Sequence, residues 1–146
     1  MNEDYVSHSL AVALKAAGFD WHCRAAWHYD GSEWNFIKDY ASTFQRPKEI
    51  PDWNSATWNT PYIVSAPTLA MAQKWLREKQ KIDVLVWNCA CGYGWEISKA
   101  DADSRGTTLM DYDDNGEDRD SGMWLTYENA LSAGINVALQ LLDNEK

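Results

Sequence analysis

Residues 65–87, SAPTLAMAQKWLREKQKIDVLVW, carry the strongest structural signal in this chain. Pro67 and Thr68 are typical of a helix start, because proline is tolerated in the first turn and a threonine hydroxyl can cap it. Apolar residues then recur at spacings of three and four on one face: Leu69, Ala72 and Leu76. From Ile82 the apolar period changes to two, with apolar side chains on both faces. The stretch therefore predicts an amphipathic helix, a short polar turn and a buried strand.

Two further helices are predicted near the ends of the chain. The first covers residues 5–17, with Asp4 or Asn2 as its cap, and Gly18 ends it so that Phe19 folds back on the last turn. The last helix begins at Thr126 and carries a wide apolar stripe. Gly134 lies inside it and costs about 1 kcal/mol relative to alanine. This cost suggests that Gly134 allows a close contact with a neighbouring element.

A β-hairpin is predicted at residues 21–40, because Asp30-Gly31 is a strong two-residue turn signal. With these two residues as the loop, aromatic and apolar residues share one face: Trp27 opposite Trp34, Ala25 opposite Phe36 and Trp21 opposite Tyr40. Histidine and acid meet on the other face: His28 opposite Glu33 and His22 opposite Asp39. Such matching of partners favours this register.

A second hairpin follows the central strand, with Cys91-Gly92 as its turn. This register pairs Val86 with Ile97 and Asn88 with Trp95. Residues 107–112 can add a further short strand. The segment 41–62 contains three prolines and no period, so a long surface connection is expected there.

These elements predict an α+β fold in a single domain, residues 1–146. Three helices and an antiparallel sheet of two β-hairpins, with four or five strands, follow the order α-ββ-α-ββ(β)-α. Helices on one face of an antiparallel sheet are a common solution for such an order. A chain of 146 residues is long enough to bury a core.

Composition and charge limit the classes of function. The net charge of -9 argues against direct nucleic-acid binding, which needs a basic surface. The first ten residues lack the pattern of a signal peptide, and no apolar run reaches membrane-spanning length. Three cysteines at uneven spacing do not form a disulfide framework. We therefore expect a cytoplasmic protein that does not contact a membrane.

Three segments in order resemble a family of small uncharacterised proteins from gut bacteria, their phages and mobile elements. The opening helix ends in Gly18-Phe19, the second helix reads Ala66-Pro-Thr-Leu-Ala-Met-Ala-Gln-Lys-Trp-Leu-Arg-Glu78, and the closing helix reads Leu125-Thr-Tyr-Glu-Asn-Ala-Leu-Ser-Ala-Gly134. Asn129 departs from the acidic residue that usually completes the last cap. The resemblance implies a fold without a known activity or cofactor, and a small regulatory protein that acts on a host or phage protein.

The segment 111–122 begins like a calcium-binding loop. Asp111, Asp113 and Asn115 occupy the first, third and fifth positions, and Glu117 adds a fourth oxygen donor. The twelfth position is Gly122, where such loops need a bidentate glutamate. The sequence favours a solvated acidic turn, with a calcium site as the alternative, and no cofactor is expected.

No catalytic centre is indicated. Cys89 and Cys91 form one C-x-C pair without the second pair that structural zinc requires. No nucleophile elbow, phosphate loop or dinucleotide motif occurs. The histidine–carboxylate pairs of the first hairpin are explained as cross-strand partners. We therefore expect a protein that is not an enzyme.

The nine tryptophans are the best remaining lead to function. Trp53 and Trp58 lie in the proline-containing loop and are expected to be exposed, whereas Trp27 and Trp34 share one hairpin face. The hairpin face is expected to be the core side, where both indoles are large packing residues. If the hairpin face is exposed instead, it can bind a protein partner or a sugar ring. The first hypothesis is a protein-interaction or regulatory module, with homodimerisation as one form of it. The alternatives are a domain that binds carbohydrate or calcium, and an acidic mimic of nucleic acid.

Overall fold

The computed structural model describes residues 4–40, 52–55, 62–89, 92–99, 108–111 and 124–144, and for Ser55, Cys89, 108–111 and Asn144 it describes the backbone alone. The chain divides into two compact units, Met1–Thr68 and Leu69–Lys146. Within the described residues there are three α-helices, six β-strands and one short 3-10 helix.

The first unit opens with helix α1, His8–Ala16. Its cap is Ser7, whose side chain accepts a hydrogen bond from the backbone N–H of Leu10, so the prediction of Asp4 or Asn2 as the cap is wrong. The helix starts later than predicted because the backbone N–H of Val6 donates to the carbonyl of Pro67 instead of following the helix. The predicted end is confirmed: Gly18 has a positive φ of 98°, and the N–H of Phe19 donates to the carbonyl of Leu14.

The first sheet contains β1, Ala26–Tyr29, β2, Trp34–Ile37, and β3, Ile63–Ser65, in the order β2-β1-β3. Both neighbours pair with β1 in the antiparallel sense. Strand β3 was not predicted, because three buried residues beside a proline-containing segment show no period. It is stabilised as the partner of β1.

The hairpin of β1 and β2 forms, but its turn lies one residue later than predicted. Tyr29 pairs with Trp34 and Trp27 with Phe36, and the N–H of Asp30 donates to the carbonyl of Glu33. Asp30 therefore flanks the turn, because its carboxylate accepts hydrogen bonds from the backbone N–H groups that follow it. Each partner moves by two positions, so the predicted sharing of one face by Trp27 and Trp34 is retained.

The second unit contains α2, Leu69–Lys79, β4, Ile82–Cys89, β5, Gly92–Lys99, β6, Thr108–Asp111, and α3, Tyr127–Asn144. The strands form an antiparallel sheet in the order β4-β5-β6. Helix α3 packs against β4 and β5, and α2 packs against β4 and α3. The predicted central helix and strand, the extra strand and the Thr126 cap are all present.

The second hairpin also differs from its predicted register, since Val84 pairs with Ile97 and Val86 with Trp95. This register places Gly94 opposite Trp87, and a Cβ atom at residue 94 would overlap the indole ring of Trp87. Only a glycine can lie under the ring, which explains why this pairing is preferred over the predicted one.

The fold is α+β, and helices, hairpins and helix follow one another in the predicted order. The prediction of one sheet is corrected: the two hairpins belong to separate sheets, because each hairpin gains its third strand within its own unit. The expectation of a single domain stays a prediction. In the part of the chain that the structure describes, no helix has both the length and the apolar character needed to cross a membrane.

Candidate functional site

Five aromatic side chains of the first sheet form a surface that we call the aromatic face. The ring of Trp27 lies 5.4 Å from that of Phe36, and the ring of Tyr29 lies 5.5 Å from that of Trp34. Tyr29 also stacks on Tyr62 at 6.1 Å, with an interplanar angle of 14°. These aromatic contacts follow from the register, because residues opposite each other on antiparallel strands project to the same face.

Part of the aromatic face is covered by the residues at the start of the chain. The indole Nε1 of Trp27 donates to the carbonyl of Val6 at 3.2 Å, which satisfies its polar atom. The ring of Tyr5 lies 5.1 Å from that of Phe36, and the ring of His8 lies 4.4 Å from that of Trp34. Trp27 is therefore held as a packing residue.

Two rings of the aromatic face nevertheless remain accessible to solvent, one near each end of β1. Phe36 is 37% exposed and Tyr62 is 48% exposed, whereas Trp34 and Tyr29 are half-buried. Large apolar side chains that remain exposed in contact with one another are more informative than isolated ones. The accessible part of the aromatic face is the strongest candidate for a binding surface among the described residues.

The hairpin turn carries negative charge on the face opposite to the aromatic face, because Asp30 and Glu33 alternate with Tyr29 and Trp34 along the strands. The carboxylate of Asp30 accepts hydrogen bonds from the N–H and hydroxyl of Ser32, from the N–H of Glu33 and from the side-chain amide of Asn35, at 2.9–3.0 Å. These bonds favour the charged form, with the backbone N–H of Glu33 contributing most, so the pKa of Asp30 lies well below its ordinary value. Asp30 and the exposed Glu33 are thus two carboxylates at the turn, on the face that also carries Asn35.

Trp53, which was predicted to be exposed, is buried. Its side chain is 4% exposed, its Nε1 donates to the carbonyl of Cys23 at 2.8 Å, and its ring meets that of Tyr40 edge-on at 4.8 Å. The next residue, Asn54, donates to the carbonyl of Phe19 and accepts from the N–H of Ser65. These bonds anchor the short 3-10 helix Trp53–Ser55 to the first unit, which corrects the prediction of an exposed binding residue.

The remaining predicted site residues lie outside the part of the chain whose side chains the structure describes. Trp58, Asp113, Asn115 and Glu117 lie outside the described residues. Asp111 is the last residue of β6, where the backbone alone is described. The calcium hypothesis therefore stays a prediction. Within the described ranges, no three histidine, cysteine, aspartate or glutamate side chains are arranged to hold a metal ion.

The histidine side chains of the first hairpin do not form the predicted pairs with carboxylates. Asp39 forms an ion pair with Arg24 at 3.0 Å instead of facing His22, and His28 stacks on Tyr40 at 5.6 Å. Burial raises the pKa of the Cys23 thiol to about 11, and its Sγ donates to the carbonyl of Ala25. A buried thiol with a raised pKa is a poor nucleophile at neutral pH.

Sequence reasoning singled out Trp27 and Trp34 but missed Tyr29 and Tyr62 as members of the aromatic face. Tyr29 follows Trp27 by two positions, so the period of a strand already places it on the same face. Tyr62 could not be found in this way, because it reaches the aromatic face only through the pairing of β3 with β1.

Comparison of this chain with protein-family models, curated proteins and solved structures gave no significant match. Function must therefore be argued from the site itself.

Proposed function

We propose that this protein is a non-catalytic interaction module that binds a partner protein through the accessible part of the aromatic face. The observation that carries the proposal is that two exposed rings lie on the same face of one sheet: Phe36, which contacts Trp27, and Tyr62, which stacks on Tyr29. Aromatic side chains are enriched at the centres of protein interfaces, because they bury a large area and lose few rotamers.

The aromatic face favours a protein partner over a sugar. A sugar-binding site usually combines a flat aromatic ring with several polar groups that converge on the hydroxyls. Here the polar atoms of Asp30 and Asn35 already bond to each other and to the turn. The acidic turn complements a basic protein surface.

The cellular role belongs to the proposal as well. The resemblance to small proteins of phages and mobile elements supports a regulatory module that acts in the cytoplasm on a host or phage protein. The overall negative charge supports a protein target over direct contact with nucleic acid.

The test is a selection of random linear peptides displayed on phage against the full chain. Enriched peptides are then measured on a Phe36→Ser/Tyr62→Ser double variant and on Val12→Ser. Val12 is a matched control, because it is an apolar residue of comparable exposure that lies on α1. We expect the double variant to bind the peptides at least about tenfold more weakly, and Val12→Ser to bind them as the wild type does.

Peptides that bind the double variant and the wild type equally would show that the aromatic face is not the interface. Oligosaccharides tested on the same variants distinguish a carbohydrate ligand from a protein partner. Sugar binding that depends on Phe36 and Tyr62 would identify the aromatic face as a carbohydrate site and overturn the proposed protein partner.

A further inference from the structure

Strand β2 is an edge strand. In the described part of the sheet it pairs with β1 on one side, and its other side has no strand neighbour. An edge strand presents backbone N–H and C=O groups that can pair with another chain. The position of this edge relative to the aromatic face determines what it can bind.

The hydrogen-bond pattern shows which backbone groups point outward. The N–H of Asp30 donates to the carbonyl of Glu33, so these residues form a hydrogen-bonded pair of the antiparallel ladder. Alternation then makes Tyr29–Trp34 and Trp27–Phe36 the pairs without mutual hydrogen bonds. The N–H of Tyr29 confirms this alternation, because it turns to the opposite side and donates to the carbonyl of Tyr62.

The backbone N–H and C=O groups of Trp34 and Phe36 therefore point away from β1, toward the open edge. Neither residue makes a backbone hydrogen bond to any other described residue. On other edges of the two sheets, side chains donate hydrogen bonds to backbone carbonyls. Nζ of Lys15 donates to the carbonyl of Ile63, and Nε2 of Gln73 donates to the carbonyl of Val84. The edge of β2 lacks such a cover among the described residues.

The same two residues carry side chains of the aromatic face. Phe36 is exposed and Trp34 half-buried, so a strand added to β2 would place every second side chain beside these rings. Backbone pairing supplies affinity in this mode of recognition, and the neighbouring side chains supply specificity.

Charge near this edge favours a cationic segment at the end next to the turn. Asp30 and Glu33 lie at the turn, and the exposed Asp4 precedes Tyr5, which packs on Phe36. The exposed Lys38 follows β2 at its other end. Side chains of an added strand project alternately to the two faces, so an arginine opposite Glu33 would meet the carboxylates of Asp30 and Glu33. The neighbouring side chains of the same strand would lie beside the rings of Trp34 and Phe36.

We propose that β2 accepts an extended segment of the partner protein by strand addition, with an apolar side chain of that segment beside Trp34 and Phe36 and an arginine on the opposite face beside the Asp30–Glu33 turn. This inference rests on the proposed function and names the form and charge of the partner.

The first experiment compares Phe36→Pro with Phe36→Ala in the full chain. Both variants remove the aromatic ring, but only proline removes the outward N–H, and an outward position of an edge strand tolerates proline. The probe is a fluorescein-labelled heptapeptide that alternates arginine and valine, measured by fluorescence anisotropy. We expect Phe36→Ala to weaken binding, and Phe36→Pro to weaken it by a further factor of about ten. Urea unfolding of both variants verifies that they fold.

The second experiment methylates alternate backbone nitrogens of the same peptide. A strand added to β2 pairs along one of its two edges, so methylation of one alternate set should weaken binding by at least about tenfold and methylation of the other set should not. A peptide with glutamate in place of arginine measures the contribution of charge, and we expect it to bind at least about tenfold more weakly.

Equal effects of the two methylation patterns would overturn strand addition, and so would equal binding by Phe36→Pro and Phe36→Ala. If the peptide still depends on Phe36, the aromatic face stands as an interface and only the strand pairing fails. Binding that does not depend on Phe36 would show that the peptide binds only as a non-specific cation. For this peptide, it would overturn both the strand addition and the aromatic face as the interface. Absence of binding at millimolar peptide would overturn the inference, while the selection of displayed peptides still tests the proposed function.

Discussion

Asp30 controls the geometry of the first hairpin through its side chain rather than through its conformational preference alone. Its carboxylate accepts hydrogen bonds from the N–H groups of Ser32 and Glu33. Gly31, which follows Asp30, adopts a φ of 103° that few other residues reach without strain. The charged form of Asp30 therefore stabilises the turn that precedes β2. Changes at this residue should alter stability in a pH-dependent way.

We expect Asp30→Asn to be less stable than the wild type at pH 7, because the amide loses the charge that the surrounding donors favour. The folded pKa of Asp30 lies below its unfolded value. The stabilisation is thus present above the unfolded pKa, about 3.9, and is lost as the pH falls toward the folded pKa. Urea unfolding between pH 7 and pH 3 should show the difference shrinking below about pH 4. The exposed Asp20→Asn is the control, and a difference that is constant with pH would contradict the prediction.

Cys23 should react slowly with iodoacetamide in the native protein. Burial raises the pKa of its thiol to about 11 from 9.0, which lowers the thiolate fraction near pH 8 about a hundredfold. Peptide mapping by mass spectrometry, with and without urea, isolates this residue from the other two cysteines. The same shift predicts stability that is full below pH 9 and falls as the pH rises from 9 toward 11, because the unfolded thiol ionises first. Equal labelling rates in the native and unfolded chain would show that Cys23 is accessible.

At the scale of elements, Gly134 explains how α3 approaches the second sheet. A Cβ atom at this residue would lie 2.7 Å from Cγ1 of Val84 and 3.1 Å from Cβ of Trp95. The helix therefore contacts β4 and β5 through its backbone at this point. The close packing at this point offsets the low helix propensity of glycine.

We expect Gly134→Ala to lower the free energy of unfolding by about 1–2 kcal/mol, since overpacking outweighs the gain in helix propensity. Val84→Ala removes the methyl group nearest to the added carbon. The Val84→Ala/Gly134→Ala double variant should therefore be more stable than the sum of the two single changes predicts, by about 1 kcal/mol. Urea unfolding of the four proteins measures this coupling. Additive effects would mean that the close contact with Val84 does not limit the packing.

At the scale of the whole molecule, the second unit contains a core of its own. Buried side chains from α2, from β4 and β5, and from α3 belong to one continuous segment that begins at Leu69: Trp75, Leu76, Val84, Trp95, Ile97, Leu131 and Ile135. A segment with its own core can fold alone, and about 80 residues is above the size of about 40 below which cross-links are usually needed.

We expect a fragment of residues 69–146 to fold by itself. Far-UV circular dichroism should show helix and strand signals, and urea should unfold the fragment in one cooperative transition. Such a result would divide the chain into two domains. A disordered fragment would instead support the single domain that length and element order predict.

Local patterns in the sequence were sufficient for the helices, for both hairpins and for the α+β class. Periods of two and of three to four report directly which residues lie on one face, so Trp27 and Trp34 could be assigned to the same face even with a shifted register. Gly18 marked the end of α1 and Thr126 the start of α3, because the hydrogen bonds that end or cap a helix are formed by residues close in sequence.

Contacts between distant residues decided the rest. The third strand of the first sheet and the burial of Trp53 depend on partners far away in the chain. The register of the second hairpin depends on the fit of Gly94 under the ring of Trp87. A tryptophan in a loop has the same local sequence whether it is exposed or donates to a buried carbonyl, so burial cannot be read from composition. The sequence by itself determined which side chains share a face. The tertiary structure alone decided which faces are covered and which strand edge stays open among the described residues, because covering depends on contacts between distant segments.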